Sequence, residues 1–489
     1  MTTAARDVQP LVVAVIGAGP SGIYAAEALT LQQDVPVEVA VIDRLPVPFG
    51  LVRYGVAPDH HAIRSIRHTL ERTLDRPGVA FYGDVTIGRD LAIDELRGVV
   101  DAVVYAYGAG ADRKLGVPGE DLPGSVGAPE FVAWYCGHPD VHPDAHTQAD
   151  DGAARDPGRV IAALVTGSRT AVVVGVGNVA LDVARVLVKT ADELADTDMA
   201  QEVLDSLRGK RVTDVHVLGR RGPAYTAFTT KELRELGQLP DLDILLDPRD
   251  LELDASSLAA VGQDKVAARN VAVMREWAGR APTGASRRVH LHFWTRPVRL
   301  LGPDRVTGVE LERTAIGPDG LVVGTGDTST IAAELVVRSV GYRGVALPGV
   351  PHDHGTGRVP HAEGRVIRDG GFSADEYVTG WIKRGPTGVI GTNKSDAVET
   401  VASLLADVAS GRLVPGGHAG QLDRLLAGRG LTALDLPAWR RIDAAEVALG
   451  LSHGRLRTTL AHRVELLAAA AAPLPEPVGG REQQPRPER

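Results

Sequence analysis

The run Leu11–Ile16 is wholly apolar, shows no alternation and is too short for a helix. It therefore reads as a parallel strand covered on both faces. It leads into Gly17-Ala-Gly-Pro-Ser-Gly22 and then a helical pattern over 23–31. The same order returns more than 150 residues later: Thr170–Val174, then Gly175-Val-Gly-Asn-Val-Ala180, then a helical run to Lys189. Two strand–glycine turn–helix units predict two nucleotide-binding domains and an α/β fold of two Rossmann-like halves. Elsewhere the pattern changes. Segment 144–158, rich in Asp, Ala and Gly, predicts a surface loop or insertion. Region 282–326 predicts antiparallel strands at 290–294, 298–301 and 306–311. A third glycine turn, Gly385-Pro-Thr-Gly388, precedes a helical pattern over 397–408, and the proline-rich tail after Pro473 is expected to be disordered.

The first glycine motif has a mechanical reading. Gly17 allows the tight turn, Gly19 lets the backbone approach a pyrophosphate, and Gly22 lets helix and strand pack closely. The helix N-terminus offers unpaired N–H groups to the phosphates. Asp43 ends the next strand, about 20 residues on, where an acid bonds the adenosine ribose. An acid there disfavours a 2′-phosphate, so this site takes FAD or NAD. In the second motif, Gly177, Asn178, Val179 and Ala180 repeat the turn, but the following strand ends in Gly219-Arg220-Arg221-Gly222. Two guanidinium groups supply charge-assisted bonds to a 2′-phosphate, which points to NADP. One acidic and one arginine-marked site together imply hydride transfer from NADPH to a flavin, with the chemistry belonging to the cofactors.

Composition narrows this further. One cysteine, Cys136, in 489 residues excludes a Cys-x-x-Cys redox pair, a four-Cys zinc site and a protein-held iron–sulfur cluster. No metal centre is expected. The missing cysteine pair also separates the chain from flavin disulfide reductases with the same layout. Aromatic residues make up 4%, so the core must be aliphatic, and Cys136, beside Trp134 and Tyr135, reads as a small packing residue. Net charge −9 does not favour nucleic-acid binding. No apolar leader or run of roughly 20 apolar residues appears, so a cytoplasmic protein without a membrane partner, monomeric or weakly dimeric, is expected.

Longer strings carry a family resemblance. Pro48-Phe-Gly-Leu-Val-Arg-Tyr-Gly-Val-Ala-Pro-Asp-His60, Gly177-Asn-Val-Ala-Leu-Asp-Val-Ala-Arg185, Gly219-Arg-Arg-Gly-Pro223, Phe228-Thr-Thr-Lys-Glu-Leu-Arg-Glu-Leu236 and Trp381-Ile-Lys-Arg-Gly-Pro-Thr-Gly-Val-Ile-Gly-Thr392 resemble ferredoxin–NADP reductases of the adrenodoxin reductase type. The resemblance implies an FAD domain built from 1–113 and 341–472, an NADP domain over 114–340 inserted between them, and a tail over 473–489. It implies that Ser21, Asp43, Leu51, Ile87, Trp381, Gly388, Val389 and Ile390 contact FAD. Arg113, Gly177 to Ala180, Arg220, Arg221, Glu232 and Gly388 would contact NADP. His60 and Asp182 would lie near the reacting rings, serving orientation and proton management. The expected activity is NADPH oxidation through FAD with single electrons passed to an acidic ferredoxin. An NADPH-dependent diaphorase or monooxygenase and a non-catalytic NADP-binding redox sensor are the alternatives. Two basic groups, one of Arg53, Arg64, Arg67 and Arg72 on or near a helical segment over 62–74, the other of Arg280, Arg287 and Arg288, are candidates for the docking face.

Overall fold

The aliphatic runs become the centres of two parallel sheets in the computed structural model, which describes residues 9–143, 156–416 and 418–473. In the first sheet the order is His361–Ala362, Arg365–Arg368, Gly371–Val378, Ala102–Tyr105, Leu11–Ile16, Val37–Ile42, Val79–Tyr82. The last five strands are mutually parallel, and the first two add antiparallel at one edge. Strands from both ends of the chain thus share one sheet. All six residues of Leu11–Ile16 are buried, as a strand covered on both faces requires.

The second sheet is parallel throughout, in the order Ser125–Gly127, Leu335–Arg338, Thr170–Val174, Asp214–Leu218, Arg287–His292, Leu242–Leu246. A three-stranded antiparallel sheet, Thr295–Leu301, Gly308–Ile316 and Val322–Ala332, covers part of one face. Leu300, Val306, Val309, Leu311 and Ala333 pack there against Val172, Val174, Leu218 and Val336.

Three sequence expectations change. Residues 290–292 do not open the antiparallel sheet; they end an interior parallel strand. The alternation of Arg288, His290 and His292 with Val289 and Leu291 reflects a half-exposed sheet face, not an antiparallel partner. Nor is 62–74 one helix: His61–Arg64 and Arg67–Leu74 are separated by the turn at Ser65 and Ile66. The helix after the third glycine turn begins earlier than expected, as Thr392–Ala409. The expectation for 144–158 falls mainly outside the described residues, as does that for the tail; Pro157–Gly167 is a helix.

A buried ion cluster fastens the helix Leu436–Ser452 to the short helix Leu51–Tyr54 that follows the first glycine unit. Glu446 is fully buried and accepts from Arg53 Nη1 at 3.1 Å, from Arg457 and from the Leu460 amide at 2.8 Å. Both guanidinium groups lie near the Trp439 ring, at 5.6 and 5.9 Å. Burial alone would raise the Glu446 pKa, but Arg53 and Arg457 hold it at about 2. Because that value is depressed on folding, its stabilisation is present above about pH 4.5 and lost as pH falls towards 2. Glu446→Gln leaves buried Arg53 without its counter-charge and Arg457 with Asp443 alone, and should cost about 3–5 kcal/mol, read as a lower urea midpoint. The variant should also lose less of its stability than wild type between pH 5 and 3, taken as on the order of the carboxyl titration range.

Candidate functional site

The two glycine turns present the same cradle by the same means. Gly17 has φ 110°, and a Cβ there would sit 2.7 Å from the Ala106 oxygen; Gly175 has φ 136° and faces the Ser339 carbonyl. Only glycine tolerates such turns. At Gly19 and Gly177 no atom lies within 4 Å of the point a Cβ would occupy, so the backbone is open to an approaching ligand. Each precedes a helix, Pro20–Leu31 and Asn178–Val188, with no side-chain cap on its first N–H groups. At Gly22 a Cβ would collide with the Gly17 carbonyl, whereas Ala180 is accommodated and buried. The open cradles, uncapped helix starts and positive dipole ends fit two pyrophosphates.

Around the first cradle, Asp43 accepts from the amides of Ala18 (2.7 Å) and Leu45 (2.9 Å), which sets its carboxylate beside the turn. Burial nevertheless raises its pKa. Ser21 is buried and donates to Asn393 Oδ1 at 3.0 Å. Asn393 also accepts from Arg384 Nη2 (2.9 Å), and Asp396 holds Lys383 at 2.9 Å and Arg384 at 3.3 Å. The glycine helix, the Trp381–Arg384 turn and the helix Thr392–Ala409 are thereby tied together. Ile87 is buried, but Leu51 is exposed and Val389 is 67% exposed. Trp381 tilts against Tyr342 at 5.4 Å, and its buried Nε1 has no hydrogen-bond partner. Exposed apolar residues and an unpaired indole N–H are what a planar, polar-edged ring would cover. Gly388 (φ 84°), Val389 and Ile390 lead into the Thr392 helix, whose first turn has no acid to compete for its dipole.

Around the second cradle, Arg220 is exposed and Arg221 lies 5.4 Å from the Tyr225 ring. Neither has an ion-pair partner among the described residues. Thr314 Oγ1 donates to the Arg220 carbonyl at 2.9 Å, which steadies the turn. The Asn178 side chain has a structural contact of its own: its Oδ1 accepts from the Thr229 amide at 2.8 Å, and Thr229 caps Glu232. Val179 is half-buried beside it. Arg113 is exposed, its amide on the Gly341 carbonyl at 3.1 Å.

Between the cradles stands a buried charge cluster. His60 Nε2 lies 2.8 Å from Asp182 Oδ1 and 2.9 Å from Glu232 Oε2, while Nδ1 is 3.7 Å from Glu235. Arg185 binds Asp59 through Nε (2.8 Å) and Nη2 (2.9 Å) and reaches Asp182 at 2.8 Å; Lys189 adds a second cation on Asp59 at 2.8 Å. Burial opposes protonation of His60, but the bonds to Asp182 and Glu232 prevail and raise its pKa to about 9. Burial would raise Asp59 and Glu232, yet Arg185 and His60 respectively hold both low. Arg185 Nη2, 2.7 Å from His60 Nε2, cannot share a bond with a protonated ring; both cations are held by the same two carboxylates, Asp182 and Glu232. Asp59, Arg185 and Lys189 were not expected here. Asp59 and Arg185 stood inside the strings that carry the resemblance, but their pairing spans 126 residues.

The basic groups need correction. Arg53 is buried against Glu446, and Arg64 is buried on Asp198 (2.7 Å) and the carbonyls of Arg53 and Val56. Arg287 is buried on Glu193 and the carbonyls of Val188 and Pro240, and Arg288 is paired with Asp214. Arg53, Arg64 and Arg287 thus serve internal contacts, whereas Arg288 is half-exposed. Cys136 is buried as expected, with its thiol pushed up to about 12 by burial.

His60 is raised on folding, so its contribution to stability is full below about pH 6.5 and lost as pH rises through 9. Its ring should titrate near pH 9 in a histidine NMR experiment, and Asp182→Asn should lower that value by about one unit or more. A midpoint below 7 in wild type would refute the cluster as described.

Residues 11–237 match the family model described as pyridine nucleotide-disulphide oxidoreductase. The chain is 42% identical to an NADPH-ferredoxin reductase FprA of Mycobacterium tuberculosis over 94% of this chain and 99% of that protein. It is 37% identical to a mitochondrial NADPH:adrenodoxin oxidoreductase of Arabidopsis thaliana, over 95% and 96%. The structure of M. tuberculosis FprA in complex with NADPH superposes with TM-score 0.86 at 41% identity, covering 95% of this chain and all of that one. With this likeness running through both cradles and the cluster between them, the chain belongs to the NADPH-ferredoxin reductase family that includes the adrenodoxin reductases.

Proposed function

We propose that the chain oxidises NADPH through FAD and passes the electrons singly to a ferredoxin-type iron–sulfur protein. The observation that carries the reading is the pair of open glycine cradles, one beside an acid and one beside two unpaired arginines, with a buried charge cluster between them. FAD, when bound, supplies a ring that takes a hydride from a nicotinamide and releases electrons one at a time.

The chain's own residues have distinct tasks. Gly17, Gly19, Gly22 and the start of the Pro20 helix receive the FAD pyrophosphate, and Asp43 takes the ribose. Ser21, through Asn393 and Arg384, fixes that helix against the Trp381 turn. Leu51, Ile87, Trp381, Val389 and Ile390 flank the ring, and the amides of Gly388 to Ile390 favour negative charge there. Gly177 and Ala180 receive the NADP pyrophosphate, Arg113 assists from the Gly341 side, and Arg220 and Arg221 take the 2′-phosphate. Asn178 acts on NADP indirectly, by holding the segment that presents Glu232. His60, protonated on Asp182 and Glu232, orients the nicotinamide side and keeps a proton at Nε2. Hydride transfer needs no general base, so this group positions and does not abstract.

The single cysteine leaves the iron–sulfur centre to a separate partner. With Arg53, Arg64 and Arg287 buried, the exposed Arg72 and half-exposed Arg67 remain to meet it from the first basic group, and the exposed Arg280, paired with Glu276, from the second. One chain carries both cradles and the whole cluster, consistent with a monomer. No described helix is long and apolar enough to cross a membrane.

Anaerobic titration with NADPH should bleach the flavin stoichiometrically, and NADH should do so far less well. Removing both guanidinium groups, as Arg220→Ala/Arg221→Ala, should raise the NADPH KM roughly 10- to 100-fold with little change in kcat, because each charge-assisted bond is worth about 1.5–3 kcal/mol. Equal use of NADH by wild type would overturn the assignment. For the partner, Arg67→Glu/Arg72→Glu should raise the ferredoxin KM several-fold and leave ferricyanide reduction unaltered. An unaltered ferredoxin KM would remove that face.

A further inference from the structure

Parallel register places His290 directly opposite His216 on the neighbouring strand, and the two-residue repeat returns His292 to the same face. The three rings are half-buried and nearly parallel. His290 stacks on His216 at 4.2 Å, and His216 Nδ1 lies 2.9 Å from His292 Nε2. One nitrogen of each ring lies within 4.8 Å of one nitrogen of each of the others. None of these residues takes part in the cradles or the His60 cluster.

We propose that His216, His290 and His292 bind a divalent transition ion of the Zn²⁺ class on the face of the NADP sheet. Three neutral imidazoles with a fourth position open to water form a zinc donor set in their own right. At Zn–N distances of about 2.0–2.1 Å, two tetrahedral ligands stand roughly 3.3 Å apart. The His216–His292 pair therefore needs to part by only a few tenths of an ångström, and the stacked His290 ring to turn about its Cβ–Cγ bond. Binding exchanges the tautomer of one ring and requires no net loss of a proton from the pair.

The surroundings support the metal. Asp214 Oδ1 lies 3.2 Å from His290 Nε2, the carboxylate–histidine contact that fixes a ligand's tautomer and leaves its other nitrogen with a lone pair. Asp214 is itself held by Arg288 at 2.6 and 2.7 Å, which keeps it ionised. Burial, and the mutual repulsion of charged rings, lower His216 to about 3 and His292 to about 4. Both are therefore neutral ligands at neutral pH, without competition from protons. Asp250, paired with Arg313 at 2.6 Å, is the charged pair next to His292.

The test uses tag-free, FAD-loaded full-length protein treated with chelator and then titrated with Zn²⁺ by calorimetry, and with Co²⁺ by difference absorption. One Zn²⁺ per chain is expected, with the d–d spectrum of a nitrogen-ligated Co²⁺. His216→Asn and His292→Asn should each weaken binding by at least about tenfold, while NADPH–ferricyanide turnover stays at the wild-type rate and so reports an intact fold. His60→Gln should bind as wild type. Absence of binding to wild type, wild-type binding by both Asn variants, or loss of binding in His60→Gln alone would overturn the proposal.

Discussion

The contact on which the site depends is the one between the loop at Asp59 and His60 and the helix Asn178–Val188 with its following Lys189. Three cations, His60, Arg185 and Lys189, and three carboxylates, Asp59, Asp182 and Glu232, are sunk together. Each charge alone would be costly in that setting, and the removal of one leaves its neighbours uncompensated. The loop belongs to the part of the chain that follows the first glycine unit, and the helix begins in the second. Their mutual satisfaction therefore sets how the two cradles face one another. Arg64 on Asp198, and Arg455 on the Met199 carbonyl at 2.7 Å, fasten the same two parts further out.

Within that frame the chemistry is a matter of openness. The glycines that make the turns are crowded against neighbouring backbone, and those that open the cradles, Gly19 and Gly177, are not. The Gly22 and Ala180 positions show the same logic: one helix lies too close to its own turn for a methyl group, the other does not. Polar ties stand behind the cradles, from Ser21 through Asn393 to Arg384 and from Asn178 to Thr229. They let the ligand-facing surfaces stay bare, because the elements that carry them are positioned from behind.

Much of this was legible along the chain. The strand Leu11–Ile16 and the strand Thr170–Val174 were bounded correctly because a buried parallel strand announces itself by an apolar run cut off by a glycine turn. Asp43, Arg220 and Arg221 stood out as candidates because their chemistry sits at a set distance from those turns. Less visible were features whose meaning is spatial. Arginine looks the same in sequence whether it docks a partner or is buried against a carboxylate: Arg53 meets Glu446 across 393 residues, and Arg64 meets Asp198 across 134. The alternation at 287–292 indicated a half-exposed strand correctly but said nothing of which strands would flank it.

The sequence by itself determined the two nucleotide units, the acid that marks one and the arginines that mark the other, and through its single cysteine the absence of any internal disulfide relay. These are local facts, set by backbone freedom at glycine and by side-chain charge a few residues from a turn. Only the tertiary structure decided which charges face each other: that His60 is a protonated member of a buried cluster, that Asn178 braces a neighbouring segment, that Arg53 and Arg64 are internal, and that three histidines share a sheet face. Ion pairing and register act between residues far apart in the chain, and their energy is decided by burial, which exists only once the sheets have packed.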